Sequence, residues 1–193
     1  TVVDDSQRMT NIQDPVSGVA QVVKNAGDIE YRGLEIDGVY TMTDAVTMVA
    51  SLGYVHSKYK NLISDLTGDF IIDALDYALE VPRAAPLTYS LGFNIDGNLG
   101  TWRSITRISY YHRDKSYYNE NNQGFINEQD ILNFGYDIYS SDGKINIGIY
   151  GKNLSNEVKH GGDTNLSFGG TFAPLAKGKI VGAEVVYKFW SKL

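Results

Sequence analysis

The sequence has no cysteine among its 193 residues. That excludes a disulfide scaffold, a thiolate zinc site, an iron–sulfur cluster and a cysteine nucleophile. It does not fix a compartment, because an exported chain can lack disulfides. Positive charge is in the minority: 17 Lys and Arg stand against 23 Asp and Glu, a net charge of −6. A nucleic-acid binder needs a basic stripe to displace counterions from phosphates, so nucleic acid is not an expected partner. Long apolar runs are missing as well. No stretch of about 18 apolar residues occurs, which excludes a transmembrane helix. Histidine is confined to His56, His112 and His160, with no His-x-x-x-His or Glu-x-x-His spacing, so no metal site is expected. Neither a Gly-x-Ser-x-Gly elbow nor a Walker loop is present, and no nucleophile–base constellation can be assembled. No catalytic residue, no cofactor and no enzyme activity are therefore assigned. Thr1 to Asp5 carry no basic n-region, no apolar h-region and no initiator Met, so the expectation is a mature form or an internal cut. Ser191-Lys192-Leu193 match the peroxisomal tripeptide, a three-residue match that the rest of the chain argues against.

What the sequence does have is tyrosine and glycine: 14 Tyr with 7 Phe and 2 Trp, and 20 Gly against 4 Pro. This is too aromatic for a disordered chain and long enough for one domain with a sizeable core. The dominant period is two. Leu87, Tyr89, Leu91, Phe93 and Ile95 alternate with Thr88, Ser90, Gly92, Asn94 and Asp96. Leu132 to Ile138, Ile145 to Ile149 and Val181 to Phe189 repeat the pattern, as do Leu34 to Tyr40 and Val46 to Tyr54. Such alternation marks strands with one apolar and one polar face.

Eight strands are expected, near 1–12, 19–41, 46–59, 84–97, 101–113, 128–140, 144–154 and 178–190. Tight turns are expected at 42–45, 97–100 (on Asp96-Gly97-Asn98) and 140–143, and long polar loops at 60–83, 114–127 and 155–177. Short turns at one end and long loops at the other are the habit of transmembrane β-barrels. A soluble sandwich shares the period but has no reason for that alternation. Tyr40, Tyr54, Tyr110, Tyr111, Tyr187, Phe189 and Trp190 lie near strand ends, where amphipathic rings settle at headgroup level.

Four stretches carry a resemblance. Asn25-Ala26-Gly27-Asp28-Ile29-Glu30-Tyr31-Arg32-Gly33-Leu34-Glu35-Ile36 resembles the Asn-x-Gly…Gly-(Val/Leu)-Glu stretch of TonB-dependent outer-membrane receptors. Ile149-Tyr150-Gly151-Lys152-Asn153-Leu154-Ser155-Asn156-Glu157 is similar to the aromatic-Gly-x-Asn-Leu-x-(Asp/Asn) signature of their penultimate strand. Gly178 to Phe189 is similar to their last strand, and Val81-Pro82-Arg83-Ala84-Ala85-Pro86 resembles the Pro-containing entry to an earlier one. The set follows the family's order from about residue 25 to 190. Four residues, Trp190 to Leu193, follow Phe189, where members usually end on the aromatic residue that the barrel-assembly machinery reads.

The resemblance implies an antiparallel transmembrane β-barrel in the outer membrane, of which this chain is a part. Such receptors have about 22 strands around a plug. At the present density of strands, a full barrel needs about 530 residues. The expectation is therefore that residues 1–193 are the C-terminal portion, about eight strands, with the N-terminal plug elsewhere. The implied function is energy-coupled uptake of a scarce nutrient such as a ferric siderophore, cobalamin or an oligosaccharide. The implied partners are the lipid bilayer, the rest of the barrel, the plug, the periplasmic TonB coupling protein acting through that plug, and a small-molecule or chelate ligand. The alternatives are a complete eight-stranded membrane barrel with a structural or adhesive role, and a soluble β-sandwich binding module.

Candidate site residues follow from the long-loop end. Tyr59, Tyr111 and Arg113 fall at strand ends there, and Tyr117 and Tyr118 in the following loop. Tyr and Arg are frequent anchors of recognition surfaces. Asp65, Asp69, Asp73, Asp76 and Glu80 would share one face if Asp69 to Leu79 formed a helix, giving either a cation-binding face or a solvated one. Arg103, Arg107 and Lys152 are expected to face inward, either steering an anionic ligand or pairing with Glu35, Asp37 or Asp137.

Overall fold

The alternation of period two becomes pairing in the computed structural model, which describes residues 2–14, 18–159, 164–165 and 171–189. The strands are β1 (Val2–Asp14), β2 (Gly18–Thr43), β3 (Val46–Leu62), β4 (Leu87–Leu99), β5 (Trp102–Arg113), β6 (Ser116–Tyr117), β7 (Phe125–Ile126), β8 (Gln129–Tyr139), β9 (Ile145–Lys152), β10 (Thr164–Asn165), β11 (Thr171–Phe172) and β12 (Ile180–Tyr187). One short helix, α1 (Ala74–Tyr77), lies between β3 and β4. Eight strands form one sheet in the order β1-β2-β3-β4-β5-β8-β9-β12, while β6–β7 and β10–β11 are hairpins within loops. Among the described residues the sheet is open, with β1 and β12 at its two edges. All eight expected strands are there, with ends displaced by a few residues. His160 and the Trp190 to Leu193 tail lie outside the described residues.

Register carries the alternation from strand to strand. Ile36 stands opposite Leu52, and Leu52 opposite Tyr89. Phe93 stands opposite Ile108, and Ile108 opposite Phe134. Tyr136 stands opposite Ile149, and Ile149 opposite Ala183. Directly opposed residues share a face, so the apolar rows merge into one surface from β2 to β12. This surface is open: Leu34 and Ile36 are 56% and 55% exposed, and Val181 and Val185 are both 71%. A soluble sandwich would bury such a face under a second sheet. Among the described residues no such layer exists, and the apolar side is the one a membrane barrel turns to lipid. Along β2 the apolar residues Leu34 to Met42 cover about 27 Å of strand. Tilted as barrel strands are, that is about 20 Å of membrane depth, near the height of an outward apolar band.

Two elements differ from expectation. The β4–β5 turn falls on Gly100-Thr101, not on Asp96-Gly97-Asn98, because pairing continues to Leu99 opposite Trp102. Gly100 takes the left-handed φ of 62° that a two-residue hairpin needs, while Asp96 is occupied by an ion pair with Arg103. At the long-loop end β1 and β2 also stay paired as far as Asp14 opposite Gly18, whereas β3 stops at Leu62 opposite Gly27. A two-stranded ribbon therefore projects past the sheet.

The glycines of the first resembling stretch have a geometric cause. Gly27 adopts φ 126°, and a Cβ there would stand 1.9 Å from the Asn61 carbonyl oxygen. A Cβ on Gly33 would stand 2.2 Å from the Tyr54 carbonyl oxygen. Both contacts are with backbone of β3, so only glycine permits this approach. An apolar cluster of buried residues lies just beyond, where Ile29, Tyr59 and Leu62 meet Val81 from the loop after β3. Ile29 shares the polar face of β2 with Glu35 and Asp37, so this loop folds over the polar side of the sheet.

Candidate ligand-facing rim

Carboxylates organise the 63–86 loop. Asp76 is fully buried and accepts hydrogen bonds from the amides of Leu66 (2.7 Å), Thr67 (2.9 Å) and Asp73 (3.0 Å). Burial pushes its carboxyl up, but those amides outweigh burial and hold it below its ordinary value of 3.8. Asp65 accepts from the amides of Gly68 (2.8 Å) and Phe70 (2.7 Å). The Gly68 amide first, and then that of Phe70, holds this carboxyl low against partial desolvation. Asp73 caps α1 by accepting from the Leu75 amide at 2.7 Å. The segment is a loop, as expected, with a helix of only Ala74–Tyr77, so the Asp69–Leu79 helix on which a shared carboxylate face depended does not form. The physical reason is that short acidic side chains compete for nearby backbone amides and favour turns and caps over helix interiors.

The first two long loops are joined. The Glu80 amide donates to Asn122 Oδ1 at 2.7 Å, and Asn122 Nδ2 donates back to the Glu80 carbonyl at 2.9 Å. The Arg83 amide donates to the Tyr117 carbonyl at 2.7 Å, and its guanidinium lies 4.7 Å from the Tyr118 ring centre. Lys115 Nζ lies 5.1 Å from the Tyr117 ring and 4.5 Å from that of Phe125. Lys159, at the start of the third loop, reaches Glu128 of the second at 3.6 Å.

This framework places the expected site residues unequally. Tyr117 and Tyr118 come together with two exposed cations, Arg83 and Lys115. Tyr111 and Arg113 lie on the polar face of β5, and Arg113 donates to Ser116 Oγ at 2.8 Å. Tyr111 is therefore not part of the outward aromatic belt, which takes its neighbour Tyr110. Tyr59 is a correction: it is 3% exposed, packed in the cluster with Ile29 and Val81, and offers no surface to a ligand. Arg83, Lys115 and Asn122 were not singled out as site residues from sequence. A basic residue beside loop tyrosines was the available signal for Lys115 alone, since Arg83 stands among Val81, Pro82, Ala84 and Ala85. Asn122 had none, since its partner is 42 residues away.

Of the inward cations, Arg107 pairs with Asp137, as one reading expected. Arg103 pairs instead with Asp96 on the adjacent strand, and Lys152 lies 5.7 Å from the Tyr150 ring centre. Glu35 and Asp37 are on β2, separated from β5 by two strands or about 14 Å, so they are out of reach. Among the described residues no cluster of three or more His, Asp or Glu is placed to hold a metal ion.

The Gly-x-Asn-Leu-x-Asn stretch after β9 is an anchor. Asn153, at φ 50°, donates to the carbonyls of Glu157 (3.1 Å) and Lys177 (2.8 Å) and accepts from the Glu157 amide (2.9 Å). Its own amide donates to Asn133 Oδ1 on β8 at 3.0 Å, and Asn156 Oδ1 accepts from the Lys179 amide at 3.0 Å. Both ends of the third loop are tied to the sheet by these amide side chains.

These features define a class: a section of barrel wall, apolar outside and polar inside, with interlocked loops over one rim. Comparison with solved structures agrees. The chain is similar to the ferric yersiniabactin uptake receptor FyuA of Yersinia pestis over 88% of its length, with a TM-score of 0.73 and 16% identity. It is similar to the ferric preacinetobactin receptor BauA of Acinetobacter baumannii over 94%, with a TM-score of 0.65 and 13% identity. The siderophore receptor PiuA of the same organism matches over 93%, with a TM-score of 0.65 and 17% identity. The chain spans about a quarter of the length of each, 25%, 26% and 25% respectively. No protein-family model and no curated protein sequence matches it. Its fold is that of part of a β-barrel, as the resemblance in sequence implied.

Proposed function

We propose that residues 1–193 are the C-terminal portion of the β-barrel of a TonB-dependent receptor in the outer membrane of a Gram-negative cell. The observation that carries this is the single exposed apolar face from β2 to β12, backed by a polar face and joined to the fold likeness with siderophore receptors. The whole protein takes up a scarce nutrient with energy drawn from the periplasmic TonB protein through an N-terminal plug. This chain supplies lipid-facing wall, polar lumen and capturing loops, and no enzyme chemistry. Arg83, Arg113 and Lys115, set among Tyr111, Tyr117 and Tyr118, favour an anionic chelate over a neutral oligosaccharide or cobalamin.

The test is the mass of the native protein in outer-membrane fractions, probed with an antibody to the 155–177 loop. A band of roughly 59 kDa or more is expected from 22 strands at the mass per strand of this chain. A membrane band near 21.4 kDa would favour a small closed barrel and retire the transport reading. In the whole receptor, Arg83→Ala with Lys115→Ala should weaken binding of the anionic chelate about tenfold or more, given about 1.5–3 kcal/mol for a hydrogen bond to a charged group. Unchanged affinity in a calorimetric titration would remove the rim from the ligand site.

A further inference from the structure

The outward face carries a second charged group, which the rim does not explain. On β2 and β3 the apolar rows end with Leu34 opposite Tyr54. The next two rows toward the long loops are Arg32 opposite His56 and Glu30 opposite Lys58. Alternation sets these side chains on the same outward face as Leu34 and Ile36. Three cations converge on the Glu30 carboxylate. Arg32 Nε donates to Oε1 at 2.6 Å, and Lys60 and Lys58 reach Oε2 at 2.9 and 3.6 Å. The glutamate side chain is only 10% exposed, whereas Arg32, Lys58 and Lys60 are 71%, 44% and 43% exposed. One buried acid therefore gathers three solvent-facing cations and neutralises one of them, leaving a local charge of +2.

The depth of this group is informative. One and two rows beyond Leu34 correspond to about 5 and 10 Å above the apolar band once strand tilt is allowed for. That is the level of lipid headgroups. The patch is local: on β5 and β8 the outward row nearest the long loops pairs His112 with the acid Asp130. A concentrated positive patch at headgroup depth, on an otherwise acidic chain, complements phosphate.

Resting on the membrane reading above, we infer that Arg32, Lys58 and Lys60 form a docking site for the phosphorylated headgroup of a lipid in the leaflet on the long-loop side. Glu30 is a positioning residue: it holds three flexible side chains in one place and leaves their outward N–H donors for phosphate oxygens. His56 and Tyr54 border the site on the sheet.

The experiment uses the whole receptor in nanodiscs of phosphatidylcholine doped with diphosphoryl lipid A, with retained lipid counted by native mass spectrometry. The wild-type protein should hold diphosphoryl lipid A through release from the disc. Arg32→Gln/Lys58→Gln/Lys60→Gln should hold it roughly a hundredfold less tightly, at about fivefold per cation near a surface. Because that variant leaves Glu30 uncompensated, a second one adds Glu30→Gln and restores neutrality; it should lose the lipid equally. Arg103→Gln/Arg107→Gln, on the lumen side, should retain it. Equal retention by wild type and both outward variants overturns the docking site while leaving the barrel reading intact. Displacement of lipid A from the wild type by millimolar inorganic phosphate would also overturn it, by showing a free-anion site. A receptor that fails to insert in any disc fails the membrane reading instead.

Discussion

Asn153 shows what one side chain does at this rim. It sits in the left-handed region, which costs most L-residues about 1 kcal/mol or more and asparagine less. Its amide also serves both strands of a loop entrance, bonding Glu157 and Lys177. Asn153→Ala in the whole receptor should destabilise this entrance by about 2–4 kcal/mol, from lost hydrogen bonds and the wrong φ preference. Asn153→Asp keeps the acceptor and the φ tolerance but loses the two donations, so it should fall between. Protease nicking between 157 and 177 reads both variants, and an Asn153→Ala protein as resistant as wild type would refute the anchor. The Gly-x-Asn-Leu-x-Asn spacing was visible in sequence as a resemblance. Its cause was not, because Lys177 is 24 residues away.

At the scale of elements, period two made the strands legible, since every residue votes on the same face. The loops were not legible, since their hydrogen bonds join partners unrelated by period. The acidic series from Asp65 to Glu80 shows the difference. Its spacing suited a helix face, but the nearby amides of Leu66, Thr67, Gly68 and Phe70 captured the carboxylates first. The candidate site was half legible for the same reason: Tyr117 and Tyr118 could be placed by loop position, whereas burial of Tyr59 depended on Val81 folding back over β3. The captured carboxylates give the 63–80 segment a definite acid response. The folded values of Asp65 and Asp76 lie below 3.8, so their contribution is complete above that pH and disappears as pH falls through the folded values. Amide exchange of Leu66, Thr67 and Phe70, corrected for intrinsic rates, should therefore stay slow from neutrality to about pH 4 and accelerate below it. Asp76→Asn should accelerate it at neutral pH. Protection that persists to pH 2 in the wild type would show that other contacts hold the loop.

For the whole molecule, the decisive feature is that its most apolar surface is exposed and its sheet has two edges. An exposed apolar face is satisfied by lipid, but unpaired N–H and C=O groups at an edge are not, because hydrocarbon offers no hydrogen-bond partner. β1 and β12 each leave one side unpaired among the described residues. In a larger barrel both edges join further strands; in an eight-stranded barrel they join each other. The lengths of these two strands, Val2–Asp14 and Ile180–Tyr187, and the projection of the β1–β2 ribbon past the sheet make a poor match for mutual closure. Residues 1–193 expressed alone and refolded in detergent should therefore give associated, polydisperse material, with no shift in gel mobility between unheated and boiled samples. The same strands within the whole receptor should show that shift. A monodisperse, heat-modifiable product of 21.4 kDa would mean that β1 and β12 find each other, and the chain would then be a barrel in its own right.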